Sequence, residues 1–225
     1  LAGGTLTISA GTTSGIITIA GIIDDSLDEA NETVIVTLSS PSNASLGTDR
    51  VHTYTISDND NTPTIDFNTT SSSGAESISS KVITVDLSAA SSQNVTVNYV
   101  VTGTATGSGS GTDYTLADGT LTINAGATSG TITIATIVND SLDEVNETVI
   151  VTLSSPGNAT LGSDSVHTYT INDNDDAPVV DFNTTISSGD ESVSSKVITV
   201  DLSAVSEKNI TVNYAVTGTA SGSGN

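Results

Sequence analysis

The chain has 225 residues, 26 Asp and Glu against 4 Lys and Arg, a formal net charge of −22, and no Cys, Met or Trp. Without cysteine there is no disulfide framework, thiolate metal site or thiol nucleophile, so a bound metal must be a hard cation held by oxygen or by the two histidines. Four cations cannot build the basic face that a phosphate backbone requires, which excludes nucleic acid, and no stretch approaches the roughly 20 apolar residues that insert across a membrane.

The first segment in chain order, GTLTISAGTTSGIITIAGIIDDSLDEANETVIVTLSSPSNASLG from Gly4, recurs from Gly119 as GTLTINAGATSGTITIATIVNDSLDEVNETVIVTLSSPGNATLG. The same offset carries Pro63 to Pro178, Phe67 to Phe182, Glu76 to Glu191, Lys81 to Lys196 and Tyr99 to Tyr214 without insertion or deletion. With boundaries at the Pro-containing DNDNTP and DNDDAP segments, residues 1–60 are the C-terminal part of one repeat, 61–175 a complete repeat and 176–225 the N-terminal part of the next. Half a sandwich exposes unpaired strand edges and half a core, so neither partial repeat is expected to be stable alone. Leu1 stands in mid-pattern, aligned with Leu116, which points to an interior piece of a longer chain. The two ends nearly complete each other, as they would in a segment of a fibre or in halves paired between molecules.

Within the complete repeat, apolar residues alternate with Thr, Ser and Asn, the period-two pattern of half-buried strands. It predicts strands near Thr64–Asn68, Lys81–Leu87, Val95–Val101, Thr120–Asn124, Thr131–Val138, Thr148–Leu153 and Ser165–Ile171. Their inward residues are expected to be Ile83, Val85, Leu87, Val97, Tyr99, Val101, Leu121, Ile123, Ile132, Ile134, Val149, Val151, Leu153, Tyr169 and Ile171. TGTATGSGSG, NAGATSG and SSPGNATLGSD separate these runs as turns. About seven strands in one repeat describe an all-β, immunoglobulin-like β-sandwich, without the disulfide and buried Trp of antibody domains.

Two acidic clusters recur against this Thr/Ser background. DDSLDEANE (Asp24–Glu32) becomes NDSLDEVNE (Asn139–Glu147), and SDNDN (Ser57–Asn61) becomes NDNDD (Asn172–Asp176). In a sandwich, the loop before the penultimate strand and the exit of the last strand lie at one end, so the clusters should converge. Converging carboxylates repel strongly unless they share a cation. Calcium suits such loops, because it takes six to eight oxygens in irregular geometry, whereas magnesium prefers few protein ligands and a strict octahedron.

The run GTATGSGSGTDYT, then GTLTINAGATSGTITIATIVNDSLDEVNETVIVTLSSP, then TINDND, resembles the Calx-beta domain of sodium–calcium exchangers and of many large bacterial surface proteins. The resemblance covers the entire period, and NDSLDEVNE is its most specific element. It implies calcium at one end of the sandwich, held in the complete repeat by Asp140, Glu144, Glu147, Asp173, Asp175, Asp176 and Glu76. In the preceding copy it implies Asp25, Glu29, Glu32, Asp58 and Asp60. The chain departs from the family pattern at Asn139, where the earlier copy has Asp24, and at Asn59 and Asn174, which interrupt the terminal acidic run. Each Asn removes a charge and keeps a carbonyl oxygen. DNDNTP and DNDDAP also resemble the calcium-binding linker of cadherins, by convergent chemistry.

His52 and His167 share a strand face with Tyr54 and Tyr169, as packing or hydrogen-bonded residues rather than metal ligands. Paired carboxylates can hydrolyse glycosides, but 2 Phe, 5 Tyr and no Trp leave no aromatic sugar cleft, so no enzyme is expected. TATGSGSG has neither the Lys nor the following helix of a phosphate loop. The expectation is an extracellular, cell-surface, calcium-stiffened stalk whose partners are neighbouring repeats of the same chain or fibre, with any surface ligand bound through other regions. The rivals are a carbohydrate- or protein-binding module and a calcium sensor coupled to a membrane partner.

Overall fold

The computed structural model describes residues 2–108 and 111–220. Leu1, residues 109 and 110 of the Gly-rich turn, and residues 221–225 lie outside the described residues. Among the described residues there are thirteen strands, most of them read from the alternating pattern, and no helix. The first partial repeat contributes the antiparallel pair β1 (Glu32–Thr37) and β2 (Val51–Ile56). The complete repeat contributes β3 (Thr64–Phe67), β4 (Ser71–Ala75), β5 (Ser80–Leu87), β6 (Val95–Gly103) and β7 (Gly119–Ile123). It continues with β8 (Ser129–Ala135), β9 (Glu147–Gly157), β10 (Thr160–Leu161) and β11 (Val166–Asn172). The last partial repeat pairs β12 (Val180–Phe182) with β13 (Val200–Leu202).

Two sheets form the sandwich of the complete repeat, one in the order β10-β3-β5-β8 and one in the order β4-β11-β9-β6-β7. Side chains two residues apart point to one face, so β5 buries Ile83, Val85 and Leu87 while β9 buries Val149, Val151 and Leu153. Ile132 and Ile134 from β8, Val97 from β6 and Tyr169 and Ile171 from β11 complete the same cluster. Each such side chain stabilises the fold by about 1.5–3 kcal/mol relative to exposure.

The structure differs from the sequence expectation in the number of strands, in the end of β8 and in part of the core. The repeat has nine strands rather than about seven, because β4 and β10 carry no apolar alternation. β4 is read from SSSGA and pairs in parallel with β11, so its contribution is a backbone ladder and not a buried face. Gly74 within it is required by packing, since a Cβ there would lie 2.5 Å from the Tyr169 hydroxyl. β8 stops at Ala135 instead of reaching Val138, because Thr136 has φ +51° and leaves the extended conformation. Tyr99, Val101 and Leu121 are only partly buried, whereas Ile65, Phe67, Val95, Tyr114 and Ile137 join the core. His167 is buried as well: its Nε2 lies 2.8 Å from Ser72 Oγ and its Nδ1 faces the Thr69 carbonyl, beside the Phe67 ring.

The partial repeats expose what the complete one encloses. Tyr54 is 40% exposed against 0% for its equivalent Tyr169, and Phe182 is 55% exposed against 2% for Phe67. Phe67→Ala should therefore lower the unfolding free energy of the complete repeat by about 3–5 kcal/mol in denaturant titration. Phe182→Ala in the same chain should change it by less than about 0.5 kcal/mol. The strained bend gives a second expectation. Where Thr136 stands, the preceding copy has Gly21 at φ +81°. A β-branched residue in the left-handed region costs about 1–2 kcal/mol, so Thr136→Gly should raise stability by up to about 1 kcal/mol after the entropy of glycine is set against it. A thermal midpoint that falls in this variant would show that the bend is not strained.

Candidate metal centre

Strand pairing brings the acidic segments together. β9 and β11 are antiparallel neighbours with Ile171 opposite Glu147, so the loop entering β9 lies beside the exit of β11. β4 runs parallel to β11 with Ala75 opposite Asn172, and the Glu76 amide donates to the Asn172 carbonyl at 3.1 Å. Glu76 is thereby delivered to the same end. Gly103 at the end of β6 faces Val149 on β9, which brings the Gly-rich loop after β6 there too.

Side chains then tie loop to terminus. The Asp173 amide donates to Asn146 Oδ1 at 3.1 Å, the Glu144 amide to Asp173 Oδ2 at 3.1 Å, and the Asn174 side chain to Asn139 Oδ1 at 2.8 Å. The preceding copy repeats two of these links, from the Asp58 amide to Asn31 Oδ1 at 3.0 Å and from the Asn59 side chain to Asp24 Oδ1 at 3.1 Å. The asparagines that depart from the family pattern, Asn59, Asn139 and Asn174, are thus among the residues that fasten the two acidic segments. Inside the loop, Asp140 Oδ1 accepts from the Leu142 amide at 2.7 Å, and Asp25 Oδ1 from the Leu27 amide at 2.9 Å, a local turn that orients the first carboxylate.

The result is a cleft of about 330 Å³ whose walls include Glu76, Asp113, Asp140, Glu144, Glu147 and Asp173. Oxygens of Glu76, Asp173 and Asp175 all lie within 4.8 Å of one another. Glu76 is 4% exposed, and its Oε1, like Asp175 Oδ2, is buried without a hydrogen-bond partner. Buried acceptors of this kind need a donor or a cation. Burial first, and then Asp175 with the charges of Asp140 and Asp173, pushes Glu76 up to about 7. Burial and Asp113, helped by Glu144 and Glu207, push Glu147 up to about 7 as well. Glu144 is raised by burial and by Asp140.

Of the residues proposed from sequence, Glu76, Asp140, Glu144, Glu147 and Asp173 border this cleft, and Asp175 joins Glu76 and Asp173 in the tight group. Asp176 is exposed and stands outside both. In the preceding copy Asp25, Glu29, Glu32, Asp58 and Asp60 line one smaller depression together with Asp24. Desolvation and neighbouring carboxylates raise Glu29 and Asp60 there. Sequence reasoning missed Asp113, a lone acid in an uncharged Gly/Ser loop, whose Oδ2 accepts from the Thr106 amide at 2.6 Å. The pairing of β6 with β9 was the signal that could have found it. It also missed Asp28 and Asp143, which are buried and turn toward the following repeat.

The raised carboxyls carry a pH signature. A folded-state carboxyl pKa above the unfolded value contributes stability that is complete below the unfolded pKa and is lost as pH rises through the folded one. Freed of divalent cations, the chain should therefore melt several degrees higher at pH 5 than at pH 8, with the loss spread between the ordinary carboxyl value of 4.5 and about 7, where Glu76 and Glu147 titrate in the folded chain, and a plateau above. Glu76→Gln should flatten that profile in thermal scans, and a profile that keeps its slope in this variant would remove Glu76 as a source.

The family model described as the Calx-beta domain matches residues 2–60, 58–175 and 173–225. No curated protein matches the chain. Among solved structures the chain is similar to the apo-form Calx CBD1 domain, at 21% identity and TM-score 0.44, over 51% of this chain and 100% of that one. It is also similar to CBD12 from CALX1.2, at 21% identity and TM-score 0.44, over 53% of this chain and 48% of that one. A third is the calcium binding domain CBD12 of CALX1.1, at 22% identity and TM-score 0.43, over 57% of this chain and 53% of that one. The chain spans about half the length of these last two. With all three of its segments matched, the chain belongs to the Calx-beta domain family.

Proposed function

We propose that this chain is a calcium-binding structural array from a large secreted, cell-surface adhesin or fibre, in which ions at the domain ends stiffen a stalk. The observation that carries the reading is the group of Glu76, Asp173 and Asp175, with two buried carboxylate oxygens that lack any donor. An all-oxygen, carboxylate-rich set of this kind suits calcium. Glu76, Asp173 and Asp175 would hold one ion, and Asp140, Glu144, Glu147 and Asp113 supply further oxygens to the same cleft. Asp25, Glu29, Glu32, Asp58 and Asp60 form the equivalent set of the preceding copy. Asp176, at the exit to the next repeat, would act from the rim. The ion supplies a double positive charge that removes the repulsion among these groups.

Membership of the Calx-beta domain family supports the choice of ion. The stalk role is supported by position: the acidic loop of each repeat also contacts the repeat that follows, through Asp28 and Ser91 and through Asp143 and Ser206. An ion that orders the loop therefore orders the joint, and it stabilises the joined form by mass action. The surface is poor in the aromatic side chains that carbohydrate recognition and glycoside cleavage use, which favours a non-catalytic, load-bearing role over a binding module.

Small-angle scattering of this chain, and of one lengthened by whole repeats, should show a longer and stiffer particle in calcium than in chelator, with magnesium close to chelator. Identical profiles after confirmed ion removal would overturn the stalk reading. By calorimetry, Asp175→Asn should weaken calcium binding at least about tenfold, since even outer partners of a metal site are worth 10–100-fold.

A further inference from the structure

The two repeat junctions of this chain share one docking arrangement. At the first, Ser91 Oγ donates to Asp28 Oδ2 at 2.8 Å and the Ser92 amide donates to the Asp28 carbonyl at 3.0 Å. At the second, Ser206 Oγ donates to Asp143 Oδ2 at 2.8 Å and the Glu207 amide to the Asp143 carbonyl at 3.1 Å. The Gln93 and Lys208 amides close the same short turn onto Ser91 Oγ at 3.1 Å and Ser206 Oγ at 3.0 Å. Both docking aspartates are buried, Asp28 at 8% and Asp143 at 5% exposure.

The difference lies in the two residues that follow the serine, Ser92-Gln93 in one loop and Glu207-Lys208 in the other. Lys208 Nζ lies 2.6 Å from Asp143 Oδ1 and 3.3 Å from Asp173 Oδ2. It thus joins the docking aspartate to a carboxylate of the metal cleft, and both belong to the preceding repeat. Among the described residues, the equivalents Asp28 and Asp58 form no ion pair. The exchange leaves the net charge of the loop unchanged, so what it alters is placement. The ammonium sits on the aspartates, and Glu207 sits on the wall of the cleft with Glu144 and Glu147.

We infer that Lys208 is a protein-supplied cation that locks the second repeat junction, whereas the first junction, with Gln93 at that position and the same hydrogen bonds, depends on bound ions for neutralisation of its carboxylates. The lysine half of this assignment stands on the ion pairs, and the ion-dependent half rests on the calcium reading above. A charge on a flexible side chain already tethered to the next repeat neutralises Asp143 and part of Asp173 whether or not an ion is bound. The joints of one array therefore differ in how far ion removal loosens them.

The matched amides of the two loops make the comparison within one molecule. Hydrogen exchange would be followed by mass spectrometry at Ser92 and Gln93 and at Glu207 and Lys208 in this chain extended until its first and last repeats are whole, so that both loops belong to closed sandwiches, in calcium and in chelator. In chelator the Glu207 and Lys208 amides, corrected for intrinsic rates, should exchange about tenfold more slowly than Ser92 and Gln93, as a charge-assisted bond to a buried carboxylate implies. Lys208→Gln should abolish that difference, Lys208→Arg should retain most of it, and Gln93→Lys should confer it on the first junction. Calcium should slow Ser92 and Gln93 by the larger factor. Fast exchange at Glu207 and Lys208 in chelator, or no effect of Lys208→Gln there, would overturn the assignment. A lysine effect in chelator with no calcium effect at Ser92 and Gln93 would overturn the calcium reading and leave the lysine lock standing.

Discussion

The carboxylates gathered at one end of the sandwich cannot all be charged and unpartnered at once, and the rest of the structure is arranged around that constraint. Two unit charges about 5 Å apart repel by about 3 kcal/mol at an effective dielectric of about 20. Glu76, Asp173 and Asp175 hold oxygens within 4.8 Å of one another, and Glu76 and Asp175 each keep a buried oxygen without a hydrogen-bond partner. The alternatives are a proton, a metal ion or a side-chain cation. The upward displacement of Glu76 and Glu147 is the proton solution, and Lys208 on Asp143 and Asp173 is the side-chain one. Calcium would satisfy more oxygens than either, because a lysine has three donors and a proton bridges two groups, whereas the ion takes six to eight ligands.

One loop serves both the cleft and the joint. In NDSLDEVNE, Asp140 fixes the turn through the Leu142 amide, and Glu144 and Glu147 face the cleft. Between them Asp143 turns the other way and accepts from Ser206 of the next repeat. Cleft residues and docking residue are separated by a single peptide bond at Asp143-Glu144, so neither can move far without the other. The Glu144 amide strengthens this link by donating to Asp173 Oδ2, the oxygen that also receives Lys208. Charge balance in the cleft is in this way converted into geometry at the junction.

The period, the all-β class and most strand positions were legible because each has a local cause: exact-length repetition, β-branched alternation and Gly/Asn/Pro turns. β4 was not legible, because SSSGA has no apolar face and earns its place only by a ladder with a strand almost a hundred residues later. The acid clusters could be read as converging from topology, and the structure brings them together. What could not be read was the division of labour within them. Asp143 and Glu144 are chemically alike and adjacent, and only the presence of Ser206 beyond the domain boundary distinguishes the docking residue from the cleft residue. Asp113 was obscured for the same reason, since it stands among uncharged residues, between Thr112 and Tyr114, and its neighbour in space is Glu147.

In a linear array each unit touches mainly the units before and after it, so bending properties belong to joints and not to the chain as a whole. Two joints with the same backbone docking, of which one has a side-chain cation and the other a neutral Gln, are then two springs in series. The softer of them governs the angle between distant repeats, however rigid the others are. Placing Lys at one joint and Gln at another keeps the docking serine and the net charge of the loop, and on the reading proposed above would alter the response of that joint to ions. On that reading, related repeats would encode a pattern of ion-sensitive and ion-insensitive joints at two side-chain positions per copy, both outside the core that makes each repeat fold.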